Sequence, residues 1–151
     1  MIKVMFVCHG NICRSPMAEF VLKHMVKERG IDKDFIINSS ATSFEEIGNG
    51  IHRGTKKKLY EEGIYCGKHR AVRLEKSDYD AYDLIIAMDS NNLRNIEKIT
   101  GIDKDKKVHL LLDFTDRKGE SIADPWYTGN FNKTYEDICE GCRGLLNEIC
   151  K

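Results

Sequence analysis

Cys8 and Arg14 enclose a short loop of His9, Gly10, Asn11, Ile12 and Cys13, with Ser15-Pro16 directly after it. The apolar run Val4 to Val7 leads into the cysteine. That pattern predicts a strand delivering Cys8 to a tight loop, then a helix starting at Ser15 with proline in its first turn. A loop of this length can curl into one cradle, which suits a tetrahedral dianion such as phosphate. Backbone N–H groups and the positive end of the helix dipole converge on the anion's oxygens. Gly10 and Asn11 are residue types that readily adopt left-handed backbone, which turns successive amides inward. Arg14 offers a planar fork to two phosphate oxygens. The same positive surroundings favour a thiolate at Cys8, a nucleophile at neutral pH. Ser15 is expected to cap the helix and to donate its hydroxyl toward the sulfur.

A second group belongs to the same chemistry. Expelling a phenolate from phosphorus is easier if its oxygen is protonated as the bond breaks, and a carboxylic acid can do this before activating water. Asp124 precedes Pro125, which fixes the local backbone, and Trp126-Tyr127, which could wall a ring pocket. Taken alone, Asp-Pro reads as a turn starter and the two aromatics as packing on a sheet edge.

The elements that must hold these residues alternate between strand and helix. Strands are expected at 3–7, 35–38, 84–88 and 108–112. Helices are expected at 15–29 (ended by Gly30), 51–62 (ended by Gly63), 90–100 (ended by Gly101) and 132–150. Leu84 to Met88 is fully apolar, as in a parallel strand buried on both faces. In the last helix, Tyr135, Ile138, Cys139, Cys142, Leu145, Leu146 and Ile149 form one stripe. The alternation implies an α/β fold: one doubly wound domain over residues 1–151, with a four-stranded parallel sheet covered by helices on both faces. Ligands in such sheets bind beyond the carboxyl ends of the strands, where Cys8 falls.

Composition narrows the classes further. The chain has 151 residues, 24 Lys plus Arg against 24 Asp plus Glu, and a net charge of zero. That balance implies no nucleic-acid or membrane partner. Lys56-Lys57-Lys58 reads as a solvated helix face. The apolar stretch at the start is too short for a signal peptide or a membrane span. With six cysteines, this points to free thiols and a cytoplasmic location. Cys139-x-x-Cys142 lies on an apolar stripe with no second ligand pair, so core packing is expected and no metal. Cys66 and Cys150 have no evident partner, and His24, His52 and His109 read as structural.

Cys8-His9-Gly10-Asn11-Ile12-Cys13-Arg14-Ser15-Pro16 resembles the signature of the low-molecular-weight protein tyrosine phosphatases. The resemblance continues through Ser39 to Ser43, His69-Arg70-Ala71, Ile86 to Asp89 and Asp124 to Tyr127, and so spans nearly the whole chain. It implies a flavodoxin-like fold and a cofactor-free phosphatase that acts on phosphotyrosine and small aryl phosphates and releases inorganic phosphate. It implies Cys8 as nucleophile, Arg14 as phosphate clamp and Asp124 as general acid, with His9 to Cys13, Ser15, Trp126 and Tyr127 around the substrate. Ser39 and His69 match positions that hydrogen-bond the loop asparagine. Relatives also form a reversible disulfide between the positions of Cys8 and Cys13; the alternative is that Cys13 is a small packed residue.

Two departures bear on specificity. Many relatives carry an aromatic residue on the pocket rim at the place of Glu45. Either Phe44 rotates in, or the rim carries a negative charge that favours basic residues beside the phosphotyrosine. Relatives that act on phosphoarginine have threonine at the place of Ile12, so the isoleucine favours phosphotyrosine. Arsenate reduction, which uses a related loop, needs two further relay cysteines that the stretch after Met88 lacks. A module that binds phosphorylated partners without turnover would not need the complete set of catalytic residue types.

Overall fold

The computed structural model describes residues 1–151. Four strands form one sheet: β1 (Ile2–Cys8), β2 (Phe35–Ala41), β3 (Leu84–Ala87) and β4 (Val108–Leu110). Their order is β2-β1-β3-β4, and every pairing is parallel. The helices are α1 (Arg14–Glu28), α2 (Arg53–Glu61), α3 (Asp78–Ala81), α4 (Ser90–Thr100), α5 (Pro125–Thr128) and α6 (Phe131–Ile149). This is the doubly wound, flavodoxin-like arrangement expected.

Period-two alternation in β1 divides the core between the two faces. Val4, Phe6 and Cys8 pack with Met17, Val21 and Leu22 of α1 and Ile138, Cys142, Leu145 and Leu146 of α6. Met5 and Val7 point the other way, to Ile85, Ala87, Tyr79 of α3 and Ile96 of α4. The apolar stripe of α6 therefore faces the sheet, and Cys139 and Cys142 lie inside the core. Burial raises the pKa of both thiols, with Cys142 well above the ordinary cysteine range.

Sheet order fixes where a ligand can sit. The connection from β1 goes to β2 on one side, and the chain returns to β3 on the other. The carboxyl ends of β1 and β3 thus flank the topological switch point. Cys8 ends β1, and Met88-Asp89 follows β3.

Several local expectations need correction. The N-cap of α1 is Cys13 and makes no side-chain cap hydrogen bond, so Ser15 does not cap the helix. Its hydroxyl is drawn instead to the Cys8 sulfur, at 3.0 Å. Asn11 takes the left-handed region (φ 59°), but Gly10 does not. The fourth strand stops at Leu110, because Leu111–Phe114 winds into a 3-10 turn. The short helices α3 and α5 lie in stretches where no helix was expected. Helix α4 has the bounds expected and stops at Gly101 (φ 88°).

That 3-10 turn packs directly against Gly141 and Gly144 of α6. A Cβ on Gly144 would lie 2.1 Å from the Phe114 carbonyl oxygen. Gly144→Ala in a helix interior would ordinarily gain about 1 kcal/mol. The clash with backbone should outweigh this and leave a net loss of roughly 1–3 kcal/mol. Urea unfolding of the variant should show a lower midpoint; an unchanged or higher one would contradict this packing.

Candidate active site

The loop between β1 and α1 is built around the Cys8 sulfur, which is 3% exposed. Sγ accepts the backbone N–H groups of Asn11 (3.3 Å) and Ser15 (3.4 Å) and lies 3.0 Å from Ser15 Oγ. Ser15 Oγ itself accepts from Asn11 Nδ2 at 2.7 Å, and the sulfur at 3.0 Å is a nearer acceptor for its hydroxyl proton than the Ser40 carbonyl at 3.5 Å. Three donors therefore converge on one atom, as a thiolate requires.

The loop holds its shape through Asn11, which is fully buried. Its Nδ2 also donates to Ser39 Oγ (2.9 Å), and its Oδ1 accepts from Val72 N–H (3.1 Å). Its backbone carbonyl accepts from His69 Nε2 at 2.8 Å. Ser39 in turn donates to Glu19 Oε1 (2.5 Å), and Glu19 pairs with Lys23 one turn along α1. Sequence reasoning missed Glu19. Nothing in the sequence marks it, because a glutamate off the apolar stripe of α1 reads as an ordinary solvated residue.

Arg14 is 3% exposed and lies at the first position of α1. Nη1 donates to Asp89 Oδ2 (2.7 Å) and to the Ile122 carbonyl (2.8 Å), while Nη2 is 3.5 Å from Asp124 Oδ2. The Nε–Nη2 edge of the fork is the less tightly held side, with Asp124 as its acceptor at 3.5 Å. Burial alone would lower the guanidinium's pKa, but the charges of Cys8, Asp89 and Asp124 raise it above the ordinary arginine value. Asp89 was the second omission. It reads as an ordinary helix cap and does form a capping box on α4, but its other oxygen orients Arg14.

Asp124 caps α5, with Oδ1 accepting from Trp126 N–H at 3.0 Å. Pro125 at the first helical position holds this turn. Both Asp124 oxygens are thus oriented, and the carboxyl group lines the same cavity as Cys8, His9, Gly10, Ile12, Cys13 and Arg14. Trp126 and Tyr127 form its outer wall, 56% and 84% exposed. Trp126 meets His52 edge-on at 5.5 Å, and His52 stacks on Phe131 at 5.3 Å.

On the opposite rim the structure decides between the two alternatives. Phe44 stays out of the cavity, 71% exposed, with the Arg73 guanidinium 4.0 Å from its ring centre. Glu45 and Glu46 line the rim instead.

Cys13 is also buried against the cavity, but its thiol is pushed up to about 12 by burial and by the charges of Cys8 and Asp124. At neutral pH it stays protonated. Iodoacetamide near neutral pH should therefore alkylate Cys8 and leave Cys13 unmodified, and inorganic phosphate should protect Cys8. Peptide mass spectrometry reads this directly; first labelling at Cys13 would contradict it.

Comparison with known proteins agrees with this geometry. The sequence profile described as "Low molecular weight phosphotyrosine protein phosphatase" matches residues 3–151. The low molecular weight protein-tyrosine-phosphatase YfkJ of Bacillus subtilis is 38% identical, covering 100% of this chain and 97% of the relative. Its crystal structure superposes with a TM-score of 0.95 at 36% identity, covering 99% of this chain and 95% of that one. PtpA of Staphylococcus epidermidis, which carries the same description, is 39% identical and covers 100% of this chain and 96% of the relative. The Drosophila arginine phosphatase DARP superposes with a TM-score of 0.90 at 31% identity, covering 99% of both chains. The chain belongs to the low-molecular-weight phosphotyrosine protein phosphatases, a family of cysteine-dependent enzymes.

Proposed function

We propose that this protein hydrolyses phosphotyrosine in proteins, and small aryl phosphate monoesters, through a phosphocysteine on Cys8. What carries the reading is the sulfur held under three donors, with Arg14 beside it and Asp124 in the same cavity.

The phosphate dianion enters with phosphorus in line with Cys8 Sγ. Its equatorial oxygens meet the loop amides and the Nε–Nη2 edge of Arg14, whose contact with Asp124 is long (3.5 Å). The thiolate attacks, the S–P bond forms and the P–O bond to the aryl group breaks. Asp124, protonated at this step, passes its proton to the departing oxygen. Water then attacks phosphorus and gives a proton to the Asp124 carboxylate. The S–P bond breaks, inorganic phosphate leaves and the thiolate is restored. Asn11, Ser39 and His69 hold the loop in the shape that receives the anion. No metal or cofactor enters the scheme. Phosphotyrosine-containing proteins or peptides are the partners, and six unpaired thiols suit a reducing cytoplasm. No helix is long and apolar enough to cross a membrane.

Phosphoarginine is the nearest competing substrate, since DARP is described as an arginine phosphatase. Ile12 lines the cavity at 8% exposure and offers apolar surface without a hydroxyl, which suits an aryl group. Phosphotyrosine peptides should therefore exceed phosphoarginine peptides in kcat/KM by at least about tenfold.

Cys8→Ser should abolish turnover of p-nitrophenyl phosphate. Asp124→Ala should lower kcat by about 10²–10⁴ for aryl phosphates with poor leaving groups and by much less for p-nitrophenyl phosphate. Full activity of the Cys8→Ser protein would rule the mechanism out.

A further inference from the structure

We infer that Glu45 and Glu46 select substrates carrying lysine or arginine beside the phosphotyrosine. The inference rests on the phosphatase reading of the Cys8 cavity and adds the class of peptide that cavity takes.

The rim is negatively charged and lacks a strong counter-ion. Glu45, 69% exposed at its side chain, meets only the Nε2 of His9, at 2.9 Å. Glu46 accepts one hydrogen bond from Asn49 Nδ2 (2.7 Å) and forms no ion pair. The two arginines on neighbouring segments are engaged away from the rim. Arg73 lies over Phe44 and donates to the Thr42 carbonyl (3.1 Å), and Arg70 points to the Gly48 carbonyl. Arg14 is buried beneath the loop between Asp89 and Asp124. No lysine lines the cavity.

This charge pattern penalises an ordinary phosphotyrosine site. A dianion must pass two carboxylates to reach Cys8, and acidic neighbours in the peptide would add to the repulsion. A substrate lysine or arginine set against Glu45 and Glu46 removes that penalty and gains attraction. Across the mouth, the exposed faces of Trp126 and Tyr127 offer surface to the tyrosine ring and to the stem of a long cationic side chain. An exposed pair of this kind shifts an equilibrium by about two- to fivefold, so two carboxylates together reach about tenfold. Because the pairs are exposed, salt should erase the preference as the screening length falls from about 10 Å at 0.1 M to about 3 Å at 1 M.

The test uses the full chain and three phosphotyrosine peptides that differ only in the flanking residues: lysine or arginine, glutamine, or glutamate. At low salt, kcat/KM should fall from basic through neutral to acidic, spanning about tenfold, and the span should narrow near 1 M salt. The double variant E45K/E46K should reverse the order. Glu46→Gln, which leaves the His9 pair in place, should shrink the span without reversing it. Equal kcat/KM for all three peptides at low salt, or the original order surviving E45K/E46K, would overturn the inference. p-Nitrophenyl phosphate has no flanking residues, so failure of the wild-type protein to hydrolyse it would strike the phosphatase reading, whereas turnover with no peptide preference would sink the rim alone.

Discussion

A cysteine sulfur at the tip of a buried central strand, met by converging donors, is the constraint around which this molecule is organised. Charge in the interior is tolerated only when donors meet it at short range. Here the loop amides, the Ser15 hydroxyl and the Arg14 guanidinium supply that compensation, and β1 and α1 fix where they stand. The doubly wound topology matters because it opens a crevice at the switch point beside β1, where no neighbouring crossover covers the strand end.

Keeping the donors aimed inward requires a second layer of polar contacts. Asn11 sits in left-handed backbone and meets Ser15, Ser39, Val72 and His69 at once. Glu19 terminates this network from α1, with Lys23 balancing its charge. Arg14 is braced the same way, with Nη1 committed to Asp89 and Ile122 and Nη2 more loosely held by Asp124 at 3.5 Å. Both arrangements link α1 to distant segments, so the cradle is shaped by residues far from it in sequence. Stabilising an empty anion site with protein dipoles means that little reorganisation is needed when phosphate arrives.

Much of this was readable from the residues, because the loop is contiguous. The cysteine, the arginine and the helix start lie within one short stretch, and apolar runs placed the four strands. Asp124 is 110 positions from Arg14, and only the resemblance raised it from a turn starter to the expected general acid. Asp89 and Glu19 escaped notice because a helix cap and a charged helix residue look ordinary until the fold turns them inward. Ser15 does not cap α1 because the helix already begins at Arg14, with Cys13 at the cap position. The end of β4 was placed too late because Leu111 and Leu112 stay apolar in the 3-10 turn against α6. The rim depended on one side-chain direction, that of Phe44, which no spacing rule supplies.

The most direct test is a crystal structure of the protein with vanadate, which mimics phosphorus under attack. The account predicts vanadium bonded to Cys8 Sγ, its equatorial oxygens held by the loop amides and the Nε–Nη2 edge of Arg14, and an apical oxygen facing Asp124. Vanadate bound at Cys13, or anywhere away from the end of β1, would contradict it.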